Sequence, residues 1–218
     1  LYDLQRQTGS GFLADDLKGY GDNAGRIISA RGVIDQTEAR KAAAQRLQTR
    51  LDVQDSALDK AASTADQLKQ DVMSALSSDN GSFLQERLRT AFGQMLGAMN
   101  QTYEGVALFS GERRGESAIR ISAIEDLPGA TTDAQLYNES ASEQMVDIGM
   151  GTPFRVAEKA SDIAGPMFDS MRNLYGLLQG GGFGNPLTDA ERAQLTDITE
   201  DLEVARSSIV EAQGRNGD

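Results

Sequence analysis

The chain has 218 residues, with 33 acidic side chains against 21 basic ones, a net charge of −12, and neither histidine nor cysteine. An acidic chain of this kind repels phosphate backbones and anionic bilayers, so nucleic acid and membrane surfaces are disfavoured as partners. Without His or Cys there is no Ser-His-Asp or Cys-His nucleophile, no zinc site of the usual ligand sets and no disulfide, which leaves only carboxylates, Lys, Tyr and Ser for chemistry.

The opening segment, residues 1–22, is polar and glycine-containing. Its start, "LYDLQRQTGSG", has neither a basic n-region nor an apolar h-region, and no stretch of the chain approaches eighteen uncharged apolar residues. Asp15 and Asp16 form a paired acid in this polar loop, a place where acids commonly occur without catalytic meaning.

A helical pattern begins near Asp22 or Asn23, either of which has the side chain to cap it. It passes through Ala30, Ala44 and the Ile27/Ile28 and Val33/Ile34 pairs. From Leu47 the spacing becomes strict, alternating four and three through Leu51, Gln54, Leu58, Ala61, Ala65, Leu68, Val72 and Ala75. Such a seam buries one face of a long helix. Asn80-Gly81 supplies a turn able to take positive φ, and Ser82 with Gln85 has the spacing of a capping box for a second helix. That helix carries Leu84, Leu88, Phe92, Met95, Met99 and Tyr103 on one face and doubles back along the first.

The texture changes at "GVALFSGERRGESAIR", residues 105–120, where an apolar run ends in Ser110 and Gly111. Up to residue 157, "AIRISAI", "QMVDIGM" and "PFRV" read as short strands, punctuated by Pro128-Gly129, Gly149, Gly151 and Pro153. Two more helices follow. The first places Ile163, Met167, Phe168, Met171, Leu174, Tyr175 and Leu178 on one face. "QGGGFGNPL" lacks a following Lys-Ser/Thr and a preceding strand, so it is an interhelical loop rather than a phosphate cradle. Thr188 with Glu191 then forms a capping box ahead of Leu195, Ile198, Leu202, Ala205, Ile209 and Ala212. Asp189 and Glu191 are a second acid pair, and a helix's first turn favours acids electrostatically.

The predicted fold is mainly α: an elongated antiparallel helical bundle built from residues 23–104 and 158–218, with a small β-rich insertion at 105–157. The expected packing core is Leu47, Leu51, Leu58, Leu68 and Val72 from the first helix, Phe92, Met95 and Met99 from the second, and Leu195, Ile198, Leu202 and Ile209 from the last. No catalytic, cofactor-binding or metal-ligating residue is assigned.

In the order of these elements the chain resembles the bacterial flagellin family. The residues that carry the likeness are "LQRQTGSG", the heptad helix with "RLDVQDSALDKAAS", the return helix ending "NQTYEGVALFSGERR", the insert, and the closing "ARSSIVEAQGRNG". In that family the return helix ends in a Leu-Phe-small-Gly corner, here Leu108, Phe109, Ser110 and Gly111, that enters a β-hairpin. "LYNESASEQMVDIGMGTPFRV" followed by "MFDSMRNLYGLLQGG" is most similar to the hook-associated members that join hook to filament. The Asn-Ala-x-Asp-Gly pattern of filament flagellins is absent from "AAAQRLQTRLDVQD", whereas "GSGFLADD" meets the junction-type start only loosely, so filament flagellin stands as the alternative.

The resemblance implies a non-enzymatic structural subunit, exported without a cleaved signal and assembled outside the cell in the flagellum. The implied partners are further copies, another hook-associated protein, flagellin and an export chaperone. It also implies that residues 1–22 lead from an inner-tube helix cut short, and that the last helix returns to bring Ala212 near Ala24. Readings of other classes are a cytoplasmic coiled-coil scaffold and an extracellular carboxylate-dependent enzyme. The insert offers little room for a substrate pocket of several hundred Å³.

Overall fold

The structure, a computed structural model, describes residues 5, 23–113, 117–142, 145–146, 154–155 and 158–217. The expectations placed on Asp15, Asp16 and Asp22, and on Gly149, Gly151 and Pro153, therefore fall on residues outside the described ones. The chain divides into two compact units, Leu1–Leu47 and Gln48–Asp218.

Helix α1, Ala24–Ser78, contains no proline and few β-branched residues, and it is rich in alanine. In the first unit its turns are mostly exposed, and Leu47 is half-buried. In the second unit burial follows the three-four rhythm from Gln54 through Leu58, Ala61, Ala65, Leu68 and Val72 to Ala75. Leu51 is only half-buried. The last helix runs out beside it, where the Asn216 side-chain amide donates to the Leu51 carbonyl at 3.2 Å.

Asp79, not Gly81, takes the positive φ that ends α1, at 56°, and the Asn80 amide donates back to the Ala75 carbonyl at 3.0 Å. This is the hydrogen-bond pattern that closes many helix C-termini. Gly81 is required for a different reason: a Cβ there would lie 2.3 Å from the Cβ of Phe183. The capping box expected from Ser82 and Gln85 does not form. Phe83 precedes helix α2, Leu84–Met99, with no side-chain cap, and Asn80 Oδ1 takes the Ser82 amide at 3.0 Å instead. The turn is closed by Asn80 before Ser82 can act as a cap. Helix α2 buries Leu84, Leu88, Phe92, Met95 and Met99.

A hairpin follows, β1 Thr102–Tyr103 against β2 Val106–Ala107. Glu104 and Gly105 both have positive φ, 50° and 77°, as a two-residue turn matched to strand twist requires. Beyond it lie a 3-10 turn at Ile124–Gly129, a short helix α3 at Asp133–Leu136, and β3 Met145–Val146 paired with β4 Phe154–Arg155. "AIRISAI" contributes a single bridge, Ile119 to Tyr137, instead of a strand. Ile124 and Leu127 are both buried, and their spacing of three fits a helical turn rather than alternation.

Helices α4, Ala160–Gln179, and α5, Asp189–Gly217, complete the second unit. Opposite charges fix how α5 lies on α1. Asp79 meets Arg192 at 2.6 Å, Lys69 meets Glu203, Asp66 meets Arg206 at 2.6 Å, and Asp59 accepts from Gln213 at 2.7 Å. Numbers fall along one helix as they rise along the other, so the two are antiparallel. That register sets Ala212 next to the Asp59 turn of α1, within the second unit; the expected neighbour, Ala24, belongs to the first. The core lies between these helices, with Phe168 of α4 edge-on to both Phe92 and Tyr137 at 6.2 Å.

Candidate assembly joint and exposed helix faces

The corner at residues 108–111 is the place where the end of α2, the start of α4 and the insert meet. Leu108, Phe109 and Ser110 are fully buried, and Gly111 is buried as well. The Leu108 amide donates to the Gln101 carbonyl at 3.0 Å, which ties the corner to the end of α2. The Phe109 carbonyl accepts from Ala160 at 2.9 Å, at the first residue of α4, and the Ser110 carbonyl accepts from Ser140 at 3.0 Å in the insert. Ser110 Oγ donates to the Arg113 carbonyl at 2.8 Å. Gly111 has φ +66°, and a Cβ on it would lie 2.8 Å from the Ser142 carbonyl oxygen. The corner follows the β1–β2 hairpin, whereas the resemblance placed it at the entrance to one. Two residues of hairpin separated by Glu104-Gly105 are too short to register as alternation in the sequence.

Around this joint a polar girdle holds the insert to the helices. Asn138 accepts from Arg113 at 2.6 Å and donates to the Ser117 carbonyl at 3.2 Å, while Asn100 Oδ1 accepts the Ile119 amide at 2.9 Å. Arg120 Nε donates to the Tyr137 carbonyl at 2.8 Å, and Arg172 of α4 donates to the carbonyls of Leu127 and Ala130. Burial pushes the Tyr137 phenol well above its ordinary value, with the charge of Asp169 adding to the effect. Glu158, buried just ahead of α4, takes two hydrogen bonds from Arg215 near the end of α5, a bidentate pair with the strongest geometry available to these groups.

Of the second acid pair, Glu191 is accounted for locally. Both Glu191 oxygens are used: one by the Thr188 amide at 2.6 Å and its hydroxyl at 2.7 Å, the other by the Gly184 amide at 2.9 Å. The Thr188 backbone bond is the largest of the contacts that hold the Glu191 carboxyl below its usual range. The predicted capping box thus forms, and the glycine-rich loop is held between α4 and α5 with Phe183 and Leu187 buried.

Of the expected core residues, Leu58, Leu68, Val72, Phe92, Met95, Met99, Leu195, Ile198, Leu202 and Ile209 are buried, while Leu47 and Leu51 are half-buried. Sequence reasoning missed the girdle residues, Asn100, Asn138 and Arg172, because no periodicity marks a side chain that bonds backbone far away in sequence. Among the described residues no group of three carboxylates is placed to hold a metal ion, and no helix is long and apolar enough to cross a membrane. A polar groove of about 920 Å³ runs between α1 and α2, lined by Ser56, Asp59, Lys60, Gln67, Gly93 and Gly97 among others. A smaller, more apolar groove of about 450 Å³ lies between α4 and α5, bordered by Asp197 and Asp201.

No family model matches the chain, and no curated protein does. Solved structures do. The chain is similar to the crystal structure of Bacillus cereus FlgL, at 12% identity over 89% of each chain with a TM-score of 0.71. It is also similar to a candidate flagellar hook-associated protein from Vibrio parahaemolyticus, at 16% identity over 87% of this chain and 85% of that one, with a TM-score of 0.62. At identities this low, the superpositions show a shared fold alone.

Proposed function

We propose that the chain is a structural subunit of the bacterial flagellum, a hook-associated protein that joins hook to filament. The observation that carries this reading is the likeness to FlgL, which extends over 89% of both chains and so takes in the helices together with the insert. A coiled-coil scaffold would account for the seam of α1 but not for the joint at Leu108–Gly111. On this reading the protein acts outside the cell, beside further copies of itself, another hook-associated protein and flagellin, and it is escorted to export by a chaperone. It performs no chemistry: its work is to offer one set of contacts to the hook side and another to the filament side.

Deleting the gene tests this. The expected phenotype is intact hooks with flagellin shed into the medium, since monomers that reach the tip find no layer on which to polymerise. Normal filaments on most cells, or flagellin retained inside them, would defeat the junction assignment. Shortened filaments built by another flagellin would favour the filament alternative.

A further inference from the structure

Charge is unevenly distributed along this acidic chain. Residues 24–47 carry five basic side chains and two acidic ones, whereas residues 48–218 carry fourteen basic and twenty-seven acidic. In the basic stretch Arg26, Arg31, Arg40 and Lys41 make no ion pair or hydrogen bond among the described residues, and all four are exposed. Ile28, Val33 and Ile34 beside them are exposed as well, Val33 at 63%. The acidic counterpart lies on α5, where Asp197, Asp201, Val204 and Glu211 are all exposed, Val204 at 61%, and the first two border the groove beside α4.

The two surfaces match in spacing as well as in sign. Arg26, Val33 and Arg40 recur every seven residues on α1, and Asp197, Val204 and Glu211 recur every seven on α5. Residues seven apart share a helix face and lie about 10 Å apart along its axis. A cation, an apolar residue and a cation therefore oppose an anion, an apolar residue and an anion at the same intervals.

We propose that residues 24–47 of one copy dock along the exposed α5 stripe of a second copy, with Val33 against Val204 and the arginines against Asp197 and Glu211. The contact joins two different surfaces, so each copy keeps one free donor face and one free acceptor face, the arrangement that generates rings or helical assemblies. It rests on reading the chain as an assembly subunit and names the surfaces that subunit uses. Exposed pairs of this kind contribute little singly and are screened by salt, so the association is driven by the set together and weakens as ionic strength rises.

Because the chain has no cysteine, the contact can be trapped cleanly. Full-length protein carrying Val33→Cys is mixed under mild oxidation with differently tagged protein carrying Val204→Cys. The expected heterodimer forms at least tenfold faster than with Met73→Cys, an exposed control on α1, and the rate falls as salt is raised. Arg26→Glu with Arg40→Glu should slow the reaction at least tenfold. Asp197→Arg with Glu211→Arg in the other copy should restore it, which a mere folding defect would not allow. Equal rates for Val204→Cys and Met73→Cys, or charge reversal without rescue, would overturn the contact. The junction reading is judged separately, by whether the unaltered chain restores filaments to a deletion strain, so the two can fail independently.

Discussion

Gly111 meets two demands at once: a φ of +66° and a Ser142 carbonyl oxygen that would lie 2.8 Å from any Cβ. A β-branched residue is the worst replacement, because it combines the left-handed penalty with the contact. Gly111→Val is expected to cost about 1–3 kcal/mol in urea unfolding, with the helical far-UV signal retained. The loss would be concentrated where Ser110 and Gly111 meet Ser140 and Ser142, and an unchanged midpoint would show that the joint yields freely. Since Leu108, Phe109 and Ser110 are fully buried, any assembly defect in this variant arises through displaced neighbours rather than through a lost contact. The sequence made Gly111 legible, because a glycine after an apolar run marks a turn. Gly81 was legible only as a turn residue: its real constraint, the approach of Phe183 from more than a hundred positions away, leaves no local trace.

At the scale of elements, the heptad rhythm carried nearly everything in α1, because a helix that packs along one side repeats its burial every three or four residues. Leu58 is 1% exposed in that seam. Leu58→Asp would bury a carboxylate without a partner and is expected to destabilise the protein by about 3–5 kcal/mol, read as a lowered thermal midpoint in circular dichroism. The start of α5 gives a different kind of test. The Glu191 carboxyl is held below its ordinary value of 4.5, chiefly by the Thr188 amide. A carboxylate with a depressed folded value stabilises above its unfolded value and loses that contribution as pH falls through the folded one. The stability difference between wild type and Glu191→Gln should therefore be constant at neutral pH and shrink below about pH 4.5. A difference independent of pH down to full protonation would show that the charge plays no part in the cap. The failed Ser82–Gln85 box carries the same lesson in reverse. A capping motif states what a side chain can do, and a neighbour such as Asn80, which bonds the Ser82 amide first, decides whether it does.

At the scale of the whole molecule, the four long helices and their order were readable in advance, whereas the short α3 inside the insert and the register of α5 on α1 were not. Periodicity shows which face of a helix is buried but not which partner covers it or in what register, because an apolar stripe of Leu and Ala fits its counterpart at several offsets. Charges discriminate between those offsets. Sliding α5 by one turn would part Asp66 from Arg206, Lys69 from Glu203 and Asp79 from Arg192 together, and although each exposed pair contributes at most about 1 kcal/mol, their loss is simultaneous. The register they select ends α5 beside Leu51 and sets Gln213 against Asp59. Spin labels on cysteines introduced at positions 59 and 213 should then report neighbouring helices, with axes about 8–10 Å apart, in a chain that has no native thiol to confuse the labelling. A separation of several tens of ångströms would mean that α5 does not return along α1 in this register, and with it would fall the placement of Asp197, Val204 and Glu211 on an outward-facing stripe.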